Sequence, residues 1–157
     1  MARVSTAFSK TSYISRGPLY RLVYVSQSRI GPLDRAGRAM IDDIQSVSAR
    51  RNAMLGITGP LTFDETHFAQ VLEGEKSSVR RVFESIARDR RHAEVQVLEE
   101  GWIEARDFSQ WTMAYVGARN PPILLAANPD LNRVVKHGSP MGQALIDMMR
   151  FLLDKTH

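Results

Sequence analysis

A glutamine stands among Phe68, Val71 and Leu72, in a segment whose other residues ask to be buried. Its amide can donate from one end and accept at the other. If Gln70 is buried, it needs a partner or costs about 1–3 kcal/mol. Tyr24 poses a similar question, with an apolar ring and a phenol that normally keeps its proton below a pKa of about 10. Side chains alternate along a strand. Tyr20, Leu22 and Tyr24 therefore share one strand face, and Phe68, Gln70 and Leu72 share another. The pattern alone leaves two arrangements open. Gln70 and Tyr24 can meet in the interior, or Gln70 can face solvent while Tyr24 packs as an ordinary core residue.

Other familiar chemistries find no support. The chain has no Cys, which removes disulfides, thiolate metal sites and cysteine nucleophiles. Its His residues, at 67, 92, 137 and 157, lack metal-ligand spacing, and no metal site is expected. Gly56-x-x-Gly59 does not open a helix and lacks dinucleotide-binding spacing. No G-x-S-x-G elbow occurs. The Asp42-Asp43 and Glu99-Glu100 pairs read as solvated faces or turns. Arg88 to Arg91 on their own read as a charged helix end.

The elements that must position these residues follow from patterning. Leu19 to Val25 reads as a strand. Asp34 caps a helix to about Arg51, with Met40, Ile41, Ile44 and Val47 at helical spacing. Gly56 to Phe63 and His67 to Glu73 form a hairpin, with Pro60 at an edge or bulge. Ser77 or Ser78 caps a helix to about Arg88, with Val79, Val82, Phe83 and Ile86 apolar. Val95 to Trp102 and Phe108 to Val116 are two further strands; Trp111 and Met113 share a face of the last. The order β-α-β-β-α-β-β predicts an α+β, ferredoxin-like fold with two helices on one sheet face. A C-terminal helix begins with Ser139 as N-cap and Pro140 at its first position. Its stripe of Met141, Leu145, Met148, Met149 and Leu152 suits the other face. The domain spans 19–117, and 118–157 is a connector plus the capping helix.

Charge and composition narrow the partners. Arg3, Lys10, Arg16, Arg21 and Arg29 all precede the first acidic residue, Asp34. From Asp34 onward, 16 basic residues face 17 acidic ones, so the body is near neutral. That argues against direct nucleic-acid binding. Residues 1–18 read as a disordered basic tail. No apolar run nears the roughly 20 residues of a membrane helix, and no secretory signal is visible. A cytoplasmic location away from membranes is expected.

Blocks of sequence say more. Leu19 to Ser26 reads LYRLVYVS, Asn52 to Gly59 NAMLGITG and Phe68 to Glu75 FAQVLEGE. Arg88 to His92 reads RDRRH and Phe108 to Met113 FSQWTM. In this order and spacing they resemble the BLUF family of blue-light sensors that use FAD. The resemblance covers about Leu19 to Val116.

The resemblance implies that FAD binds non-covalently between the two helices, with FMN or riboflavin as substitutes. Tyr24 would hydrogen-bond Gln70, and Gln70 the flavin. Light would draw an electron and then a proton from Tyr24. On their return Gln70 would be left rotated or tautomerised, and absorption shifted to the red. A missing Cys is compatible, because no thiol adduct is involved. Ile44, Ser48, Asn52, Asp89, Arg91 and His92 would hold the flavin. Trp111 and Met113 would pass the change on. Arg51, Ser85 and Pro60 depart from what is common in the family. With about 40 residues after Val116, an effector domain is not expected. The output would be a downstream signalling protein or a homo-oligomer, not an enzymatic activity. The alternative is a ferredoxin-like ligand-binding module, or a small enzyme of the acyl-phosphate-hydrolysing kind, without a light response.

Overall fold

The computed structural model describes residues 3–6, 17–63, 65–109, 114–117 and 140–154. Its elements are β1 (Arg3–Thr6), β2 (Leu19–Ser28), α1 (Arg35–Leu55), β3 (Pro60–Phe63), β4 (His67–Gly74), α2 (Lys76–Arg88), β5 (His92–Ile103), β6 (Ala114–Gly117) and α3 (Pro140–Asp154). One sheet has the order β1-β6-β3-β4-β2-β5. Its centre, β3-β4-β2-β5, is antiparallel throughout and forms the expected ferredoxin-like unit. β6 joins β3 in parallel. The β2–β4 ladder is unbroken from Tyr20↔Gly74 to Gln27↔His67. The β2–β5 ladder shifts register between Val23 and Tyr24, and again between Val25 and Gln27.

Both central strands are buried on both faces, so their side chains sort by parity. Tyr20, Leu22, Tyr24 and Leu72 pack with Val79, Val82 and Ile86 of α2. Leu61, Phe63 and Phe68 pack with Ile41, Ile44 and Ala49 of α1. The odd-numbered Val23, Val25, Ala69 and Val71 face α3, where Leu145, Ile146, Met149 and Leu153 cover them. Met148 packs at the edge of this cluster. Ile146 and Leu153 were not in the expected stripe. The side chains of Met141 and Leu152, and Ser139 as a whole, lie outside the described residues.

Local chemistry fixes the boundaries. Asp34 caps α1 by accepting from the Gly37 N–H at 2.8 Å. Gly56 ends the helix in a left-handed conformation. Gly59, at φ +145°, passes so near β4 that an added Cβ would lie 1.8 Å from the Val71 carbonyl oxygen. Pro60 opens β3, where its missing N–H is tolerated.

Several expectations need correction. Met40 and Val47 are 43% and 41% exposed. The buried side of α1 is polar as well as apolar and includes Gln45, Ser48 and Asn52. Neither Ser77 nor Ser78 caps α2; Glu75 holds the N-cap position, its carbonyl accepting from Val79. Residues 56–59 contribute a single bridge, Thr58 to Glu73, not a strand. β6 starts at Ala114, because Phe108 turns into the core beneath α3. Arg3–Thr6, within the stretch read as a disordered tail, pairs with β6. A backbone ladder asks for a free edge, not for periodic hydrophobicity. Trp111 and Met113 lie outside the described residues.

Candidate functional site

The β2–β4 register sets Tyr24 directly opposite Gln70. The Tyr24 hydroxyl donates to Gln70 Oε1 at 2.6 Å. The two residues are 1% and 2% exposed. Burial pushes the Tyr24 phenol far above its usual pKa, with the positive charge of Arg51 opposing and Asp89 adding. Tyr24 therefore keeps its proton in the resting protein, and Gln70 accepts it in a hydrogen bond. Of the two arrangements open from sequence, the structure has the interior one.

A cleft borders this pair on the helix side. Leu61 of β3 joins Tyr24 and Gln70 in its floor. α1 supplies Ile44, Val47, Ser48 and Arg51, which recur at helical spacing on one face. Ser85 and Ile86 of α2, with Asp89, Arg91 and His92 after it, close the far side. Six of the seven residues expected to hold a flavin thus meet here. Asn52 is the exception: it is 0% exposed but is not part of the lining. Its backbone carbonyl accepts from Ile57 at 2.8 Å and fixes the turn after α1. Arg51, Val47, Leu61, Ser85 and Ile86 were not expected as site residues. The spacing 44, 48, 51 along one helix face was the available signal for Arg51.

The Asp89-Arg-Arg-His92 segment is internally occupied. Arg91 contacts Asp89 at 2.6 Å and Asp43 at 2.9 Å, tying the end of α2 to α1. These N–H bonds hold the Asp89 carboxyl below its usual range. Asp43, exposed as its sequence context suggested, is also one jaw of a clamp. His92 Nδ1 is hydrogen-bonded to the Ser26 hydroxyl at 2.7 Å, and its ring packs on Phe68 at 4.5 Å between centroids. Burial pulls its pKa down to about 4, so it is neutral at pH 7. Arg51 is different, since its buried Nε and Nη2 make no hydrogen bond.

This donor set fits a flat heteroaromatic ring. Ile44, Leu61 and Ile86 offer apolar surface for its faces. Arg51, Ser48 and the Gln70 amide offer polar atoms for its edges. No group of three or more potential metal ligands occurs among the described residues.

A second polar cluster lies across the sheet, under α3. Glu73 is 0% exposed. Its carboxylate accepts from the backbone N–H groups of Asp107 and Phe108, both at 2.8 Å. Burial raises its pKa to about 7 against these two bonds. Arg106 donates to the Thr58 hydroxyl and to the Glu73 and Gly56 carbonyls, each at 2.8 Å. Arg21 bridges Glu99 and Asp107, and Asp107 also pairs with Arg150 of α3. Glu99, read as solvated, is buried. α3 passes so close to it that a Cβ at Gly142 would lie 2.7 Å from its carboxylate.

Known proteins give the same picture. The BLUF family model, "Sensors of blue-light using FAD", matches residues 19–114. A blue light- and temperature-regulated antirepressor of Escherichia coli (strain K12) is 34% identical over 70 residues, covering 45% of this chain and 17% of that one. Photoactivated adenylate cyclase subunit alpha of Euglena gracilis is 29% identical over 110 residues, 70% of this chain and 11% of that one. The chain thus spans less than a fifth of the length of these two relatives. Among solved structures, the dark state of the BLUF protein BlrB superposes with a TM-score of 0.65 at 34% identity, over 85% of this chain and 96% of that one. The photo-activated state of BlsA gives 0.66 at 29% identity, over 86% and 94%. The family match covers more than half of the sequence and includes both residues of the buried pair: the chain belongs to the BLUF family, sensors of blue light using FAD.

Proposed function

We propose that this chain is a blue-light receptor whose responsive element is the Tyr24–Gln70 pair, with FAD held in the cleft between α1 and α2. The observation that carries this is the 2.6 Å hydrogen bond between two side chains that are both almost wholly buried. FAD, when bound, supplies the absorption of blue light and the acceptor for an electron from Tyr24. Ile44 and Ile86 pack against the ring, while Ser48 and Arg51 meet its polar edge. Asn52 keeps the end of α1 in place. Arg91 clamps the helices through Asp43 and Asp89.

Tyr24 holds its proton at Oη until oxidation makes the phenol a strong acid. Gln70 is the near neighbour able to receive that proton or to answer its loss. Its amide has the same outline after a half-turn but exchanges donor for acceptor. A rearranged Gln70 therefore presents a different hydrogen-bonding atom without any change of volume or net charge. β4 carries the change through β3 to β6, which follows Trp111 and Met113 in sequence, and to α3 as the surface that meets a signalling partner or a second copy. Curated relatives are named as cyclases and an antirepressor; for this chain, output by contact with another protein is the matching role. Among the described residues, no helix is long and apolar enough to cross a membrane.

The test is a light-minus-dark spectrum of the purified chain loaded with FAD. A reversible shift to the red is expected, retained flavin without the shift is expected for Gln70→Leu, and loss of the photocycle for Tyr24→Phe. Failure of the wild type to take up flavin, or a normal red shift in Gln70→Leu, would overturn the proposal.

A further inference from the structure

The loop at 106–108 is held from more sides than a connection between strands requires. The turn after α1 and the end of β4 meet where Thr58 and Glu73 exchange backbone hydrogen bonds at 2.9 and 2.8 Å. Arg106 lays its guanidinium across this junction. Its Nη2 donates to the carbonyl of Gly56, the residue that ends α1. Its Nη1 donates to the Glu73 carbonyl and to the Thr58 hydroxyl, all three bonds at 2.8 Å. The next two residues are gripped by the same strand, since the Glu73 carboxylate accepts from the N–H groups of Asp107 and Phe108. On its other side the loop meets α3. Asp107 pairs with Arg150, and Phe108 shares a core cluster with Leu145, Ile146 and Met149. An arginine that only capped α1 would need a single carbonyl, one of the acceptors a helix leaves unpaired at its C-terminus. Arg106 takes one acceptor from the end of α1 and two from its junction with β4. α1 lines the cleft through Ile44, Ser48 and Arg51, and β4 carries Gln70. Two walls of the cleft thus converge on one guanidinium outside it.

Building on the reading that the Tyr24–Gln70 pair answers light, we infer that Arg106 is a positioning residue of that response: its fork ties the 106–108 loop to α1 and β4 together, so that a shift of one against the other is delivered through the loop to α3. A guanidinium is planar, and its donors are fixed relative to one another. It cannot follow Gly56 and Glu73 independently. A displacement between them turns the fork, and the loop turns with it. This path is separate from the ladder that runs through β3 to β6. It is also remote from the flavin edge, because Arg106 is not part of the cleft lining.

The experiment uses the full chain loaded with FAD, as wild type, Arg106→Met and Arg106→Lys. Each is measured in the dark and under blue light, by its flavin spectrum and by hydrogen–deuterium exchange of peptides covering 105–117 and 140–154. In the wild type, light should change exchange in both regions. Arg106→Met should keep its flavin and its red shift, while the light-minus-dark exchange difference falls by about threefold or more, the scale on which single positions alter coupling between sites. A loop that is merely looser exchanges faster in dark and light alike and keeps the difference. Arg106→Lys retains the charge but brings its donors to one point, so it cannot span Gly56 and Glu73 at once. It should lose the difference as well, and it decides the matter if Arg106→Met does not fold. A difference of wild-type size in either folded variant, or loss of the red shift along with it, would overturn the inference. So would a wild type with a normal red shift whose exchange in these regions ignores light. A wild type that takes up no flavin, or shows no red shift, would sink the parent reading too.

Discussion

Gln70 and Glu73 sit three residues apart on β4, both almost fully buried, and they point to opposite faces of the sheet. Glu73 is held by two backbone N–H groups of one loop. Those donors cannot rotate, and a carboxylate has no donor to exchange for an acceptor. Gln70 accepts from a hydroxyl on a side chain, and its own amide can turn over. Equal burial thus serves two ends. On the α3 face Glu73 is tied to the backbone and the loop at Asp107 and Phe108 is fixed. On the helix face the partner is movable, and Arg51 keeps donors in hand. On the proposed reading of Tyr24 and Gln70, what separates a structural polar cluster from a responsive one is the freedom of its partners, not how deep it lies.

The largest effect should come from breaking the fixed side. Glu73→Ala strands two buried N–H groups and should cost about 2–4 kcal/mol in chemical denaturation. A loss below about 1 kcal/mol would mean that the loop does not depend on Glu73.

Acid and base separate the two faces next. The folded pKa of Glu73 is raised to about 7, so its contribution is full below its unfolded value and is lost as pH rises through about 7. His92 is lowered to about 4, so its contribution is present above about 6.5 and is lost as pH falls towards 4. Each amounts to about 3 kcal/mol over its window, with opposite sign. Glu73→Gln should remove the decline between about pH 4.5 and 7, and His92→Gln the decline between pH 6.5 and 4. The slopes of stability against pH are the measurement, whatever the absolute cost of either variant. An unchanged slope in Glu73→Gln would show that its carboxyl does not titrate in this range.

The movable side should yield a smaller stability change. Gln70→Leu leaves the Tyr24 hydroxyl buried without its acceptor, a cost of about 1–3 kcal/mol. Adding Tyr24→Phe removes the orphan, so the double variant should recover much of it. Simple additivity would contradict a direct bond. Smallest of all is Asp43→Asn, which opens one jaw of the clamp. Asp43 is 61% exposed, so thermal melts should show less than about 1 kcal/mol.

Strand parity was legible because side chains alternate along any strand, although β2 and β4 are buried on both faces. Parity put Tyr24 and Gln70 on definite strand faces but left open whether Gln70 turned inward; the β2–β4 register decides it. α1 was harder. Its inner face buries Gln45, Ser48 and Asn52, while Met40 stays outside and Val47 lines the open cleft, so hydrophobicity alone did not mark the buried face. Glu99 looked solvated because its cation, Arg21, comes from a distant segment, whereas Asp43 is exposed as expected. Charge burial is decided by such partners, and one stretch of sequence does not display them. The strand at Arg3–Thr6 escaped notice for a related reason, since its ladder depends on an edge more than a hundred residues away.

The two seams of β2 also differ mechanically. Its seam with β4 runs without interruption, while its seam with β5 slips on either side of Tyr24 and Val25. The sheet is therefore stiff along one side of Tyr24 and compliant along the other. A push that starts between Tyr24 and Gln70 meets a rigid neighbour in β4 and a yielding one in β5. A displacement at the pair should pass more readily into β4, across the continuous ladder, than into β5, across the interrupted one.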